Sequence, residues 1–240
     1  MSNEKQINVT VNGDTLTILE GQANKPYELK GYEYNADSVE SLIALVESKG
    51  SVKSTVISYN ENYVRVILDD TVISHSKDRL SYQYKLSQQC REWFNILTQG
   101  VTMDQAEFIK FLQRREPGEI IGIDKLMATL KQFKFVTNIT GDFSQTDSSN
   151  YTFMIKVGDA EGTIKLPQTF DVHIEILNES SFMQFVEIEL EVKKPKSEDE
   201  KPKFLLSCPK YQRYYNDAVK AEIEKLKIAL PNHLIVAGSI

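Results

Sequence analysis

The sequence has 240 residues, of which 41% are hydrophobic and 10% aromatic, so the chain can bury a substantial core and wholesale disorder is excluded. Its 34 acidic residues outnumber its 28 basic ones, and the net charge of −6 argues against a dedicated duplex-DNA binder. The charge is uneven, because residues 193–227 carry a net +4 whereas the first 192 residues carry −10. We therefore expect a local basic face on an acidic protein.

Both cysteines, Cys90 and Cys208, lie in apolar stretches, where a thiol behaves as a small buried hydrophobe. A disulfide framework would need more cysteines in a secreted chain. The first residues, MSNEKQINVTV, have no apolar signal core, and no stretch reaches the roughly 18 apolar residues that a membrane span needs. We therefore expect a reduced protein in the cytoplasm.

The first 86 residues are predicted to contain strands on either side of one helix. Alternation around Asn12-Gly13 predicts a hairpin over residues 7–19, and the residues after it are predicted to form a loop or an irregular edge segment. Asp37 and Glu40 have the spacing of a capping box, in which two side chains satisfy free amides at a helix start. Four strands are predicted after this helix, at residues 52–59, 63–68, 71–75 and 80–86.

Two helices joined by a glycine turn, over residues 87–115, are the predicted centre of the core. Ser87 is a suitable N-cap for the first helix, and Gly100 ends it because glycine enters the left-handed conformation without a Cβ penalty. Thr102 and Gln105 have capping-box spacing at the start of the second. Helical spacing places eight apolar residues on the buried sides, namely Cys90, Trp93, Phe94, Leu97, Phe108, Ile109, Phe111 and Leu112. We predict that Trp93, Phe108 and Phe111 are buried together.

Antiparallel hairpins dominate the predicted second half of the chain. The predicted elements are a helix at 122–133, a strand at 134–140, a polar loop at 141–150, hairpins pairing 151–157 with 163–166 and 170–177 with 182–192, a strand at 204–208, an amphipathic helix ending before Pro231, and a last short strand. The predicted fold class is α+β, with hairpins forming one or two sheets against a helical layer. We expect residues 1–36 to form a hairpin and irregular segment, and residues 37–240 a single domain with a mobile charged loop at 193–203.

Several of these pieces resemble the YfdQ-like family of phage and prophage proteins of unknown function. Trp93 is followed by MDQAEFIKFL, in which Gln105, Phe108 and Phe111 match the family's Q-x-x-F-x-x-F run. The segment LPQTF, the long hairpin after it and the C-terminal amphipathic helix are further matches, and the resemblance covers residues 38–230. Where family members carry an Asp-His-Arg cluster, this chain has Lys77, Asp78 and Arg79 without a histidine. The resemblance implies an accessory protein of a mobile element in the bacterial cytoplasm, and it implies no activity.

No phosphate-binding loop motif and no zinc-ligand spacing occurs in the sequence, and we expect no cofactor. One acidic cluster is predicted, because alternation along the second hairpin places five potential metal ligands on one face, namely Asp171, His173, Glu175, Glu187 and Glu189. The alternative is the solvated side of a sheet whose other side is buried. For nucleophilic catalysis only Cys90 is a formal candidate, and its apolar setting argues against a reactive thiolate.

A basic and aromatic run near the start of the last helix is the best candidate for a binding surface. Its six residues are Lys193, Lys194, Lys210, Tyr211, Arg213 and Tyr214. Tyrosine rings stack on bases while lysine and arginine contact phosphates, a combination that single-strand binders use. The alternative is a helix start whose tyrosines pack on the sheet.

The favoured hypothesis is a phage- or prophage-encoded cytoplasmic accessory protein that acts by binding a host or phage protein or single-stranded nucleic acid, rather than by catalysis. One alternative is a counter-defence protein that sequesters a nucleotide signal or blocks an immune effector, which would need a pocket with convergent polar groups. Another is a metal-dependent enzyme that uses the acidic sheet face. We expect no membrane partner.

Overall fold

Helices and strands alternate along the residues that the structure, a computed structural model, describes: 30–72, 76–132, 144–147, 150–157, 160–193 and 202–240. The helices in these residues are α1 (Val39–Lys49), α2 (Gln88–Thr98), α3 (Gln105–Gln113), α4 (Ile123–Gln132) and α5 (Tyr211–Ala229). The strands are β1 (Glu33–Ala36), β2 (Val56–Tyr59), β3 (Tyr63–Ile67), β4 (Arg79–Gln83), β5 (Val101–Met103), β6 (Ser144–Asp147), β7 (Asn150–Val157), β8 (Ala160–Pro167), β9 (Thr169–Glu175), β10 (Met183–Lys193), β11 (Lys203–Ser207) and β12 (Leu234–Ala237). The predicted α+β class is confirmed.

The first sheet contains five strands in the order β1-β4-β3-β2-β12. Strands β2, β3 and β4 pair antiparallel, while β1 joins β4 and β12 joins β2 in parallel. Helix α1 packs against β1 and β4, and α5 packs against α1. Buried Ile57, Val66 and Leu80 point toward these helices, so the helices cover one face of the sheet.

The second sheet is antiparallel, in the order β5-β11-β10-β9. Helices α2 and α3 pack on its inner face, where every second residue of β9 and β10 is buried. Strands β6, β7 and β8 form a third antiparallel sheet, and α4 packs on β8. Only Gln168 separates β8 from β9, so the third sheet continues directly into the second.

Trp93 of α2 lies at the centre of the core, where α2 meets α3 and the second sheet. Its side chain is fully buried, and the ring of Phe111 meets it edge-on with 4.8 Å between centroids. Phe108 is also fully buried and lies 5.7 Å from the ring of Phe204 on β11. Phe111 is partly buried against the core, so the predicted cluster of Trp93, Phe108 and Phe111 is confirmed.

A buried ionic cluster ties α5 to the turn between β9 and β10. The carboxylate of Glu222 is 1% exposed, and it accepts hydrogen bonds from the Ser180 hydroxyl at 2.6 Å and from Lys225 Nζ at 3.0 Å. Lys225 also contacts Glu40 of α1 at 3.2 Å. Burial alone would lower the pKa of Lys225, but these two carboxylates raise it above its ordinary value. The cluster therefore joins both helices of the first sheet to the second.

Two helix starts differ from the sequence prediction. Ser38, not Asp37, caps α1 by accepting from the Ser41 amide at 3.1 Å. Asp104, not Thr102, caps α3, and it forms a complete capping box with Glu107. Two other predicted signals are confirmed, because the Ser87 hydroxyl accepts from the Cys90 amide and Gly100 has a φ of +74°.

Other predictions need correction or lie outside the described residues. Phe94, predicted to be buried with its helix neighbours, is 38% exposed because the buried stripe of α2 runs through residues 90, 93, 96 and 97. Residues 33–36, predicted as part of a loop or irregular edge segment, form the regular edge strand β1, and the predicted polar loop at 141–150 contains β6. Three predicted segments lie wholly or mostly outside the described residues, namely the hairpin at 7–19, the strand at 134–140 and the charged loop at 193–203. The predicted strand at 71–75 lies partly outside them, and its residues 71 and 72 form a turn.

Candidate functional site

The outward face of the first sheet carries polar side chains in two cross-strand rows. Residues paired across neighbouring strands point to the same side, so the pairing register assigns each row. One row contains Asn35, Ser81, Arg65, Ser58 and Val236. The other contains Glu33, Arg79, Ile67, Val56 and Leu234. Because α1 and α5 pack on the opposite side, these rows form the outward side of the sheet, which is exposed at Asn35, Arg65 and Arg79 and buried at Ser58.

A groove of about 430 Å³ lies along this outward side, across β1, β4 and β3. Arg65 and Arg79 line it together with Asn35, Ser81 and Ile240. The Ser81 hydroxyl donates to the Asn35 amide oxygen at 2.7 Å, which fixes the polar floor of the groove. We name this surface, with its residues Asn35, Arg65, Arg79, Ser81 and Ile240, the arginine groove. Its volume falls in the range of about 300–1,000 Å³ that ligand sites occupy.

The two arginines of the groove are diagonal neighbours in the sheet. Arg65 pairs with Ser81, which follows Arg79 by two positions. The Cα atoms of diagonal neighbours of this kind are about 7–8 Å apart. The Arg65 guanidinium lies 4.3 Å from the centre of the Tyr63 ring. Among the described residues, no carboxylate oxygen lies within 4 Å of the Arg65 guanidinium nitrogens. Glu33, which also lines the groove, is the cross-strand neighbour of Arg79, and its carboxylate offsets part of the positive charge there. Guanidinium groups bind phosphate and carboxylate in a planar fork, so this arrangement suits an anionic ligand.

Tyr63 borders the arginine groove and connects it to the residues after β12. Its hydroxyl shares a hydrogen bond with the Ser239 hydroxyl at 3.0 Å, and this bond is the main reason that the pKa of Tyr63 is lowered. Ser58, one row position from Arg65, is fully buried, and its hydroxyl has no partner among the described residues. The Arg65 guanidinium lies over the Tyr63 ring at the rim of the groove.

The structure places four of the predicted binding residues together in the first turn of α5 or just before it. Lys210 pairs with Glu187 at 2.6 Å, which raises the pKa of Lys210, and Arg213 is exposed with Asp217 at 3.9 Å. Tyr211 and Tyr214 are partly buried against the core. These contacts leave Arg213 as the most accessible of the four.

The hydroxyl groups of the two tyrosines have partners inside the protein. The Tyr214 hydroxyl accepts from the Glu187 amide at 3.3 Å. The Tyr211 hydroxyl and the Cys90 side chain are hydrogen-bonded, and burial raises the pKa of Tyr211. Both rings therefore pack against the core, with Tyr214 on β10 as in the alternative prediction and Tyr211 on α2. Stacking on a base would require both tyrosines to leave these contacts.

The two predicted lysines upstream are not part of this cluster. Lys193 ends β10 opposite Lys203 at the start of β11, whereas Lys210 follows the end of β11. The ammonium group of Lys193 lies 3.4 Å from the Thr102 hydroxyl. Lys194 lies outside the described residues. The structure therefore separates Lys193 from the α5 residues by the length of a strand.

The acidic hairpin face interleaves carboxylates with other side chains. Glu187 lies opposite Asp171, but His173 lies opposite Phe185, and its ring stacks on the phenyl ring at 4.5 Å. Further along, Glu175 lies opposite Met183, and Glu189 lies opposite Thr169. In the part of the chain that the structure describes, no group of three or more His, Cys, Asp or Glu side chains is placed to hold a metal ion.

We expect Mg²⁺, Mn²⁺ or Ca²⁺ to leave the melting temperature of the protein unchanged. An ion that binds only the folded state must raise stability by mass action, and the register disperses the carboxylates of this face. Differential scanning fluorimetry over a range of ion concentrations checks this, with the Glu189→Gln variant measured alongside. A concentration-dependent rise that disappears in the variant would restore the metal site.

Cys90 has the properties of a structural residue. It is fully buried on α2, and burial raises the pKa of its thiol to about 11, with the Tyr211 hydroxyl opposing part of this change. A thiol with this pKa is neutral at pH 7, whereas the thiolate is the nucleophile. Cys208 is also buried, and burial raises the pKa of its thiol to about 11.

The arginine groove was not predicted from the sequence. Arg65 and Arg79 each occupy a polar position of an alternating strand, which is the pattern of any half-solvated sheet. A strand predicted at 71–75 would also have separated them, whereas β3 and β4 pair directly. The spacing of tyrosine, arginine and alternating apolar residues in YVRVI was the one available signal.

No family model, no curated protein and no solved structure matches this sequence. No helix within the described ranges combines the length and the apolar character that crossing a membrane requires.

Proposed function

We propose that the protein is a phage- or prophage-encoded cytoplasmic accessory protein that acts by binding, and that its arginine groove binds single-stranded nucleic acid. The observation that carries this proposal is the pair of arginines beside an aromatic ring on an open sheet face. The resemblance of residues 38–230 to the YfdQ-like family supports the phage or prophage origin and the bacterial cytoplasm.

An open sheet with helices on one side only is a suitable surface for unpaired nucleotides. Single strands are bound by stacking of bases on aromatic rings and by contacts of basic side chains with the backbone. Tyr63 supplies a ring, and Arg65 and Arg79 supply the cations. Asn35 and Ser81 offer an amide and a hydroxyl to base edges on the same face.

Electrostatics favour a single strand over a duplex. The chain has a net charge of −6, so a rigid duplex that reached the groove would also approach acidic surface. A flexible single strand can follow the local basic patch and avoid the remainder. Binding should therefore be strongest at low salt, where the release of condensed counterions from the phosphates is most favourable.

A second candidate is sequestration of a nucleotide signal, the counter-defence alternative. The groove volume of about 430 Å³ supports it, because this space suits one small anionic molecule. The groove lies on one face of a sheet, and this open form favours an extended strand over an enclosed nucleotide. A binding assay with both kinds of ligand distinguishes the two.

We expect the Arg65→Ala variant to bind a fluorescein-labelled 12-nucleotide oligothymidylate about fivefold more weakly than the unsubstituted protein at low salt, from loss of about 1 kcal/mol of charge-assisted contact. The slope of log K against log salt should fall by about 0.7 for each phosphate contact removed. Fluorescence anisotropy measures both quantities. Arg91→Ala, which removes an exposed arginine from α2, is the matched control and should bind normally.

Three outcomes would contradict parts of the proposal. Absence of binding at micromolar protein in low salt would exclude nucleic acid as the ligand. Weaker binding of Arg213→Ala with normal binding of Arg65→Ala would move the site to the start of α5. Tighter binding of a mononucleotide or cyclic dinucleotide than of the oligonucleotide would favour the signal-sequestering alternative.

A further inference from the structure

The outward face of the second sheet exposes large apolar side chains. Phe185 is 58% exposed, Met183 is 41% exposed, and both lie on the outward side of β10. Ile121, 50% exposed, lies next to Asp171 at the border of this face, because its amide donates to the Asp171 carbonyl at 3.0 Å. The His173 ring stacks on Phe185 and completes the surface. We name His173, Met183 and Phe185 the apolar patch.

The apolar patch departs from the pattern of a solvated sheet face. Such a face carries polar residues at every outward position, as β10 does at residues 187, 189 and 191. At positions 183 and 185 the same strand places Met and Phe outward instead. Large apolar side chains exposed together within a polar rim are characteristic of an interaction surface.

Carboxylates border the patch. Asp171 and Glu187 lie next to it in the pairing register, and Glu189 follows two positions after Glu187. The chain's own Lys210 binds Glu187 at 2.6 Å, which shows that this face accepts an ammonium group. Asp171 and Glu189 have no Lys or Arg nitrogen within 4 Å among the described residues, so they are available to cations from outside.

We infer that this face docks a protein segment in which basic residues flank an apolar side chain. The apolar side chain would pack on Phe185 and Met183, and the basic residues would pair with Asp171 and Glu189. Phe185 and Glu189 are four residues apart on one strand, which corresponds to about 13 Å. An extended segment with an apolar and a basic residue about four positions apart matches this spacing.

The charge of the face selects among possible occupants. Nucleic acid is repelled by the carboxylates, so this surface is separate from the arginine groove in ligand as well as in position. A second copy of the chain would need a basic and apolar surface of its own to fit. The charge complementarity therefore favours a basic protein segment.

A synthetic peptide tests the inference. The probe is a fluorescein-labelled eight-residue peptide with a central Leu-Phe pair between arginines, and fluorescence anisotropy reports its binding to the full chain. We expect Phe185→Ser and Asp171→Asn each to weaken binding at least fivefold, with unchanged melting temperatures because both residues are exposed. Binding should weaken as salt rises, since exposed ion pairs are screened.

Matched probes and variants define the outcomes that would overturn the inference. A peptide with glutamates for arginines, or with glycines for Leu-Phe, should not bind, and Arg65→Ala in the arginine groove should bind the original peptide normally. Equal binding of the original and glycine peptides, or normal binding by Phe185→Ser, would overturn the inference. So would absence of binding, or a dimer in sedimentation that Phe185→Ser converts to monomer.

Discussion

Replacing Trp93 by alanine should lower the free energy of unfolding by about 3–5 kcal/mol, the usual cost of removing a large buried aromatic side chain. The ring is fully buried, and it contacts Phe111 at 4.8 Å and Phe170 at 6.4 Å between centroids. Its removal leaves a cavity where α2 meets the second sheet, and a close-packed interior relaxes only partly around such a cavity. The decrease in the free energy of unfolding should therefore exceed the transfer free energy of the buried side chain alone.

Urea unfolding followed by circular dichroism measures this change. The neighbouring Phe94→Ala variant is the matched control, because Phe94 is 38% exposed on the same helix and should cost less than about 1 kcal/mol. Equal midpoints for the Trp93→Ala variant and the unsubstituted protein would show that α2 is not the centre of the core.

The Glu119→Ala variant should be destabilised by about 3 kcal/mol, because it leaves buried partners without a counterpart. The Glu119 carboxylate is 2% exposed and accepts a hydrogen bond from Trp93 Nε1. Its second oxygen accepts from the Glu116 amide at 2.9 Å, and Arg115, itself 7% exposed, lies 3.8 Å away. Alanine removes the acceptor of a buried indole and one of the carboxylates that balance a buried guanidinium.

Glu116→Ala provides the control, since Glu116 is exposed three residues away and should change stability by less than about 0.5 kcal/mol. A double-mutant cycle with Trp93→Phe, which keeps a ring but removes the donor, isolates the indole–carboxylate contact. Additive effects of Glu119→Ala and Trp93→Phe would mean that the hydrogen bond contributes nothing beyond packing.

Signals that act within one helical turn predicted the centre of the core correctly. Ser87 and Gly100 act on amides and dihedral angles a few residues away, so the sequence contains all the necessary information. The N-cap of α3 is Asp104 and not the predicted Thr102, because Thr102 lies in β5 and pairs with Leu205, about a hundred residues away. The cap of α1 shifted by one residue because Asp37 and Ser38 both carry a suitable oxygen, and local chemistry does not decide between them.

The candidate sites depended on long-range register, which the sequence does not reveal. The tyrosines of α5 were correctly placed near basic residues, but only packing shows that Tyr211 reaches Cys90 and Tyr214 reaches β10. The two arginines of the groove come from separate strands, and their closeness depends on direct pairing of β3 with β4. Alternation predicts which side of a strand is wet, and it does not predict which wet residues become neighbours.

The parallel pairing of β12 with β2 has a consequence for the order of folding. Val56 and Leu234 are partners about 180 residues apart, so closing this contact costs more chain entropy than any hairpin in the molecule that the structure describes. Tyr63 and Ser239 come together only after β12 has joined the sheet, and Ile240 reaches the groove by the same step. We therefore expect the hairpins to assemble early in refolding, while the arginine groove is completed in the slowest kinetic phase.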